Sequence, residues 1–358
     1  MSNDPLMKAV AYEGPGMTRL VHLARPHAGV GELVLQLDCC GLCGTDLFKF
    51  AGSDTAPGTV LGHELVGTVA EVGAGLDWFR PGERVVVPHH VACGACAFCR
   101  RGSATRCETF KENLLLPGGF SELIRVLPRA ASRAARIVPD SVSSEAASFM
   151  EPGACVLRGI RRSGILDDAE ADPGPRVAVV QGGGSMGLLH LLVLKATIPG
   201  CRVIVSDPLE SRRELALELG ADEVSPPGAD LREVAEASSE GRGVDAVFDT
   251  VGGAGLVNEA IDLLRDGGTV ILFAHAGRGE RASFELNTLF KGEMRVVSTY
   301  SGTVEDQGTV FEMLASGTLD PSPLVTHRFP LSRFDEAVAL ANDRAALKIM
   351  IVPDDRLS

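Results

Sequence analysis

Residues 176–207 constrain this chain more than any other stretch. Arg176-Val177-Ala178-Val179-Val180-Gln181 is an apolar run without alternation, and it leads straight into Gly182-Gly183-Gly184-Ser185-Met186-Gly187. A helical stretch, Leu188 to Thr197, comes next, and a second apolar run, Arg202 to Ser206, ends at Asp207. Continuous apolar runs of this length fit strands buried on both faces, as in parallel sheets joined through helices. Gly-x-Gly-x-x-Gly alone is a weak signal. Between a buried strand and a helix, with an acidic residue closing the next strand, it meets the requirements of a dinucleotide-binding turn. Gly182 permits the tight turn, Gly184 lets a pyrophosphate approach the backbone, and Gly187 lets helix and strand lie close together. The N-terminus of the following helix offers unpaired N–H groups and a partial positive charge to phosphates, and Ser185 and Met186 of the turn are cofactor-binding candidates beside the glycines. Asp207 is placed to accept hydrogen bonds from ribose hydroxyls and to repel a 2′-phosphate, which favours NAD over NADP. Arg212 is close enough to stack on adenine and to soften that preference.

The alternation continues. A helix over 211–219 ends at Gly220, Val244–Asp249 reads as a strand, Leu256–Leu264 as a helix, and Thr269–Phe273 and Arg295–Thr299 as further strands. Repeated β–α units with apolar strands imply a doubly wound parallel sheet. Thr250, Val251, Phe273 and Ala274 fall at strand ends facing the expected cofactor crevice, and His275 is a weaker candidate there.

The region before it has a different texture. Short apolar runs such as Glu32–Leu37, Leu65–Val72 and Arg84–Val87 alternate with Gly and Pro, which points to a β-rich unit with frequent turns. Two of its turns carry Cys43-Gly44-Thr45-Asp46 and Gly62-His63-Glu64. A thiolate, an imidazole and a carboxylate suit Zn²⁺, and three protein ligands with one open position describe a catalytic zinc. Thr45 adds a hydroxyl able to pass a proton, and Asp46 a carboxylate able to orient the histidine. A buried cysteine and a satisfied core histidine are the blander reading of the same residues. Cys93, Cys96, Cys99 and Cys107 follow with spacing that makes a closed tetrahedral zinc site, structural because nothing in it is open or acid–base active. An iron–sulfur cluster fits less well, since no fifth cysteine or Cys-Pro ending is present. Cys39, Cys40, Cys155 and Cys201 show no ligand spacing and read as buried small hydrophobes.

Val142–Ala154 reads as the start of a helix continuing over 155–163, and Glu151-Pro152 lies within it. Asp167–Pro175 reads as an acidic, solvated turn. A helix near Asp306–Ala315 and a strand at Lys348–Val352 close the chain, and that tail is expected to return to the first domain. The 358 residues are enough for two domains. A net charge of −13 argues against nucleic acid and against an anionic membrane surface, despite Arg100, Arg101 and Arg106 beside the cysteines. No apolar run is long enough for a membrane span, and Met1–Val10 has no secretory apolar segment, so a cytoplasmic location is expected.

Together, Gly-Leu-Cys43-Gly-Thr-Asp46, Gly62-His63-Glu64-Leu-Val-Gly67, Pro81-Gly82-Glu83-Arg84-Val85, the four cysteines, Glu151-Pro152 and the 182–187 glycines resemble the zinc-dependent medium-chain dehydrogenase/reductase superfamily. The branch they look most like is that of polyol, sorbitol and threonine dehydrogenases. The resemblance covers essentially the whole chain. It implies an α/β protein: a GroES-like, partly open β-barrel catalytic domain over 1–152 and 303–358, with the structural-zinc lobe at about 90–110, and a Rossmann NAD-binding domain over 153–302. It implies a catalytic zinc on Cys43 and His63, with Glu64 or Glu151 as the acidic ligand, and a structural zinc on Cys93, Cys96, Cys99 and Cys107. The implied activity is reversible oxidation of a secondary alcohol to a ketone, with hydride passing to NAD and Thr45 relaying the proton. Many relatives carry a histidine where this chain has Phe48, so the relay beyond Thr45 departs from theirs. Phe48 and Lys49 either line the substrate pocket or are a core side chain and a solvated one. A homodimer or homotetramer assembled through the Arg295–Tyr300 edge strand is also implied. A zinc-free quinone or enoyl reductase and a catalytically silent NAD-binding paralogue are the rival readings.

Overall fold

The computed structural model describes residues 6–166 and 175–356. Their contacts divide the chain into two compact units, one of Met1–Pro152 with Thr303–Ser358, the other of Gly153–Gly302. Of the acidic stretch Asp167–Pro175, read as a turn, residues 167–174 lie outside the described residues. Among the described residues no helix is long and apolar enough to cross a membrane.

The first unit is a curled, mostly antiparallel sheet. Its strands run in the order Val325–Pro330, Lys348–Val352, Leu33–Gly41, Glu64–Val72, Arg84–Pro88, Arg136–Ile137, with Leu123–Val126 also paired to Leu33–Gly41. A hairpin of Leu6–Gly14 and Met17–Ala24 joins it through an Ala9–Ser121 bridge. Leu33, Leu35, Leu37, Leu65, Val85, Ile124 and Ile351 fill its core, whereas Gln36 is exposed. Burying one such aliphatic side chain contributes about 1.5–3 kcal/mol, so a slip of one residue, which would carry Gln36 inward, is strongly disfavoured. The register is therefore pinned, and it has a consequence for chemistry. Gly41 stands opposite Glu64, Glu64 opposite Pro88, and Met350 opposite Gly41. Because the strands are antiparallel, the residues just beyond Gly41, just before Glu64, just after Pro88 and just before Met350 all gather at one end of the sheet. The last strand, Lys348–Val352, pairs with Leu33–Gly41 and Val325–Pro330 in this sheet.

The second unit is a six-stranded, all-parallel sheet in the order Glu223–Ser225, Arg202–Ser206, Val177–Gln181, Val244–Asp249, Leu264–Leu272, Arg295–Ser298. By chain order this is 3-2-1-4-5-6, the doubly wound dinucleotide-binding arrangement, whose switch point lies between Val177–Gln181 and Val244–Asp249. Arg295–Ser298 is an edge strand.

Several local expectations shift. The helix after the glycine turn begins at Ser185, not Leu188, because Gly184 takes the capping position in an extended conformation. Val142–Ala154 is not one helix. Ser143 accepts a hydrogen bond from the Ala146 N–H and starts Ser144–Ser148, and a second helix, Met150–Ser163, begins after Phe149. Pro152 fits that second helix because its missing N–H lies in the first turn, where it has no helical partner to lose. Cys39, Cys40 and Cys201 are buried as expected, but Cys155 is only half-buried. Phe48 is not a core side chain: 66% of it is exposed, on the outer face of the Gly44–Ala51 helix.

Candidate active site

The gathered sheet end places Cys43, His63 and Glu64 so that one ligand atom from each lies within 4.8 Å of the others. Asp46 orders this corner. Its Oδ2 accepts from the Cys43 N–H at 3.1 Å, its Oδ1 accepts from the Gly62 N–H at 3.3 Å, and Oδ1 stands 3.3 Å from His63 Nδ1. One buried carboxylate thus ties the cysteine turn to the histidine turn and leaves Nε2 as the histidine nitrogen available to a metal. Thr45 is half-buried on the first turn of the same helix. Glu64 is buried, with Oε2 2.6 Å from Lys348 Nζ and Oε1 without a hydrogen-bond partner. Lys348 is buried too, and its ammonium lies 5.7 Å from the Phe149 ring centroid. Glu151, in the first turn of its helix, is buried with Oε1 3.9 Å from His89 Nδ1.

Electrostatics show what this corner lacks. Burial works against the charged form of His63, yet Asp46 and Cys43 beside it raise its pKa well above the ordinary value. Burial pushes Glu151 up to about 7; His63 opposes the shift and Glu64 reinforces it. Burial, with His63 beside them, pushes His89 well below the ordinary histidine value and His90 to about 3. The corner is rich in thiol and carboxyl groups and short of positive charge. A divalent cation with sulfur, nitrogen and oxygen ligands fits it, and zinc suits that donor set.

The four cysteines fit a second zinc. Their sulfurs lie within 4.8 Å of one another, with Cys93 and Cys99 3.9 Å apart and Cys96 and Cys99 3.6 Å apart. A tetrahedron with zinc–sulfur bonds of about 2.3 Å has edges of about 3.8 Å. The N–H groups of Cys93 and Cys96 point at Cys107 and Cys93 sulfurs. The buried apolar cluster here is only Ala92, Cys107 and Phe110, too little to hold the loop by itself.

In the parallel-sheet unit, Gly182 has φ +100°, and a Cβ there would collide with Val251 and Thr250. A Cβ on Gly187 would fall on the Gly182 carbonyl, whereas Gly184 faces open space. Both features fit a turn that brings backbone up to a pyrophosphate. Asp207 Oδ2 accepts from the Gly183 N–H at 2.7 Å and Oδ1 from the Leu209 N–H at 2.8 Å, so it braces the turn as well as ending its strand. Arg212 is half-buried, with its Cβ beside Gly183. Thr250 donates to the Gln181 carbonyl, Phe273 and Ala274 donate to the Asp249 carbonyl, Val251 is exposed, and His275 is exposed. Ser185 and Met186 open the helix after the turn.

Lys348, His89 and His90 have no place in the sequence reading. A lysine opening the otherwise apolar Lys348-Ile-Met-Ile-Val352 is a signal for a buried charge in need of a partner. The paired histidines immediately before the cysteine lobe are the other signal.

Residues 186–316 match the zinc-binding dehydrogenase family and residues 29–136 the alcohol dehydrogenase GroES-like domain. The L-galactonate-5-dehydrogenase of Escherichia coli is 30% identical over 91% of this chain and 93% of its own length. D-arabinitol dehydrogenase 1 of Uromyces fabae is 27% identical over 97% of each. A zinc-binding dehydrogenase of Sinorhizobium meliloti, solved bound to NADP, superimposes with a TM-score of 0.85 at 27% identity, covering 98% of this chain and 100% of that one. The chain belongs to the zinc-binding medium-chain dehydrogenases with a GroES-like domain. It is a zinc-dependent dehydrogenase of the class that acts on alcohols and polyols.

Proposed function

We propose that the chain interconverts a secondary alcohol of the polyol or sugar-derived type and its ketone, using NAD. The observation that carries this reading is the convergence of Cys43, His63 and Glu64 at one end of one sheet, with Glu151, on the first turn of the Met150–Ser163 helix, close enough to feel the charges of His63 and Glu64. When bound, zinc supplies a Lewis acid that lowers the pKa of the alcohol and NAD supplies the hydride acceptor. The rest falls to the chain's own residues. Cys43 and His63 hold the metal, and Asp46 fixes the His63 ring. Glu64 and Glu151 are the two candidate acidic ligands, and Lys348 already engages one oxygen of Glu64. Thr45 takes the proton of the substrate hydroxyl. Phe48 stands where many relatives carry a relay histidine, so no side chain at that position takes the proton on, and Thr45 hands it to water. Cys93, Cys96, Cys99 and Cys107 hold the structural zinc. Gly182, Gly184, Ser185, Met186 and Gly187 receive the pyrophosphate. Asp207 receives the adenosine ribose and disfavours NADP, and Arg212, Thr250, Val251, Phe273 and Ala274 line the remainder of the cofactor site. A silent paralogue has no need of this set, which weighs against that reading.

The test is reduction of NAD⁺ and NADP⁺ at the reduced-cofactor absorbance, over a panel of polyols, sugar acids, threonine and simple secondary alcohols. Turnover with NAD⁺ that chelation abolishes and zinc restores is the expected result. Zinc-replete protein with no turnover on either cofactor would sink the reading.

We also propose a homodimer, or a tetramer built on it, paired through the Arg295–Ser298 edge strand. Leu286 and Phe290, on the helix before it, are 75% and 79% exposed, an apolar patch that a lone chain leaves in water. Light scattering is expected to give at least twice the 37.6 kDa chain mass, and a monomer at micromolar concentration would rule the pairing out.

A further inference from the structure

His89 follows the last residue of the Arg84–Pro88 strand, and the register described above delivers it to the metal corner. Its ring lies 4.6 Å from that of His63 on one side and 3.6 Å from that of His90 on the other, and His90 in turn lies 5.0 Å from Phe110. This row of rings fixes the orientation of His89. Yet its Nδ1 is buried and has no hydrogen-bond partner. Such an orphan costs about 1–3 kcal/mol, so a chain that keeps one in an ordered ring needs a compensating use for it.

The Glu151 carboxylate faces that nitrogen, with Oε1 3.9 Å away. That gap is too long for a direct hydrogen bond. It suits one oxygen placed about 2.8 Å from each group, with an angle near a right angle at that oxygen. An O–H is the group that can accept from an imidazole N–H and donate to a carboxylate at once. The place between them is beside His63, a candidate ligand of the metal that would hold the reacting oxygen.

We propose that His89, with Glu151, binds the hydroxyl on the carbon next to the reacting carbinol, so that the protein selects vicinal diols over isolated secondary alcohols. The inference rests on the dehydrogenase reading of this site and narrows its substrate class. His89 is a specificity-determining residue in this account, and the metal site does not depend on it.

The test is binding first and turnover second. Saturation-transfer NMR titrations of 2,3-butanediol and of 2-butanol are made on zinc-loaded wild type, His89→Phe and His89→Asn, with zinc content and melting temperature recorded for each. Phe keeps the ring row without the nitrogen, and Asn keeps an amide N–H near the position of Nδ1. Wild type is expected to bind the diol about tenfold more tightly than the mono-alcohol, the size of one net hydrogen bond. His89→Phe is expected to remove that preference with 2-butanol affinity and zinc content unchanged, and His89→Asn to restore most of it. In steady-state assays the loss falls on KM for the diol, with kcat nearly unchanged. Equal weakening of both alcohols, loss of zinc from His89→Phe, or no diol preference in wild type would overturn the inference. If His89→Phe does not fold, His89→Leu gives the same readout. Diol selectivity in a protein that oxidises no alcohol would overturn the dehydrogenase reading and leave the hydroxyl site standing.

Discussion

Metal analysis of Cys43→Ser is expected to find about one zinc per chain where wild type holds about two, with activity reduced more than a hundredfold and the fold intact. The two candidate zinc sites are separate in composition and in what they support. The sulfur of Cys43 belongs to a corner that also contains His63, Glu64, Asp46 and Lys348, all embedded in a well-filled sheet core. Removing a metal there leaves that core in place. Even a hydrogen-bonding partner of a ligand typically costs ten- to a hundredfold in metal affinity or activity, so removing the ligand itself must cost more. Cys99→Ser is the opposite case. Its lobe has almost no apolar core, and the metal supplies the folding free energy that a core would. Cys99→Ser is expected to lose the other zinc, become sensitive to proteolysis between residues 93 and 107, and melt earlier. Atomic absorption, limited proteolysis and thermal melts on the two variants check this. If Cys43→Ser keeps both zincs, or keeps near wild-type turnover, the catalytic metal lies elsewhere.

The parts of this molecule that sequence made visible are those in which neighbours along the chain do the chemistry. The 182–187 turn, its flanking strand and helix, and Asp207 are local, and the glycines are required by backbone geometry, so the pattern can be recognised without knowing the fold. The four cysteines are legible for the same reason. His63, Cys43 and Asp46 are legible because thiol, imidazole and carboxylate in two short turns suggest one ion. Lys348 is not legible, because it lies 284 positions from Glu64 and is brought to it through the Met350–Gly41 and Gly41–Glu64 pairings. His89 depends in the same way on Pro88 standing opposite Glu64. The bond from the Gly183 N–H to Asp207 was hidden because the fingerprint specifies a role toward the cofactor, not toward the turn. Phe48 misled because an aromatic side chain suggests a core, yet the helix buries Phe50, two positions on, and presents Phe48 outward.

Lys348→Met is expected to destabilise metal-stripped protein by about 3–5 kcal/mol, because it leaves the Glu64 carboxylate buried without its cation. Both side chains are nearly inaccessible, at 4% and 1%, so solvent screening does not soften the loss. The ammonium also loses its place over the Phe149 ring, a smaller contribution. The useful contrast is between variants. Lys348→Met with Glu64→Gln removes both charges from the same volume, and exchanging a buried pair for neutral groups is commonly near neutral in stability. The double variant is therefore expected to recover most of the loss, so that the two substitutions are strongly non-additive. Zinc provides a second contrast. Glu64 Oε1 has no partner of its own, and a cation held by Cys43 and His63 would compensate the same carboxylate that Lys348 compensates. Adding zinc is accordingly expected to raise the melting temperature of Lys348→Met more than that of wild type, because the metal binds the folded chain and relieves a charge that wild type has already neutralised. Denaturant melts of wild type, both single variants and the double variant, with and without zinc, check the argument. Additive single-site effects would mean that the Lys348–Glu64 pair is not the source of the stability. Equal zinc shifts in wild type and Lys348→Met would mean that Glu64 faces only the lysine, and would leave Glu151 as the carboxylate that serves the metal.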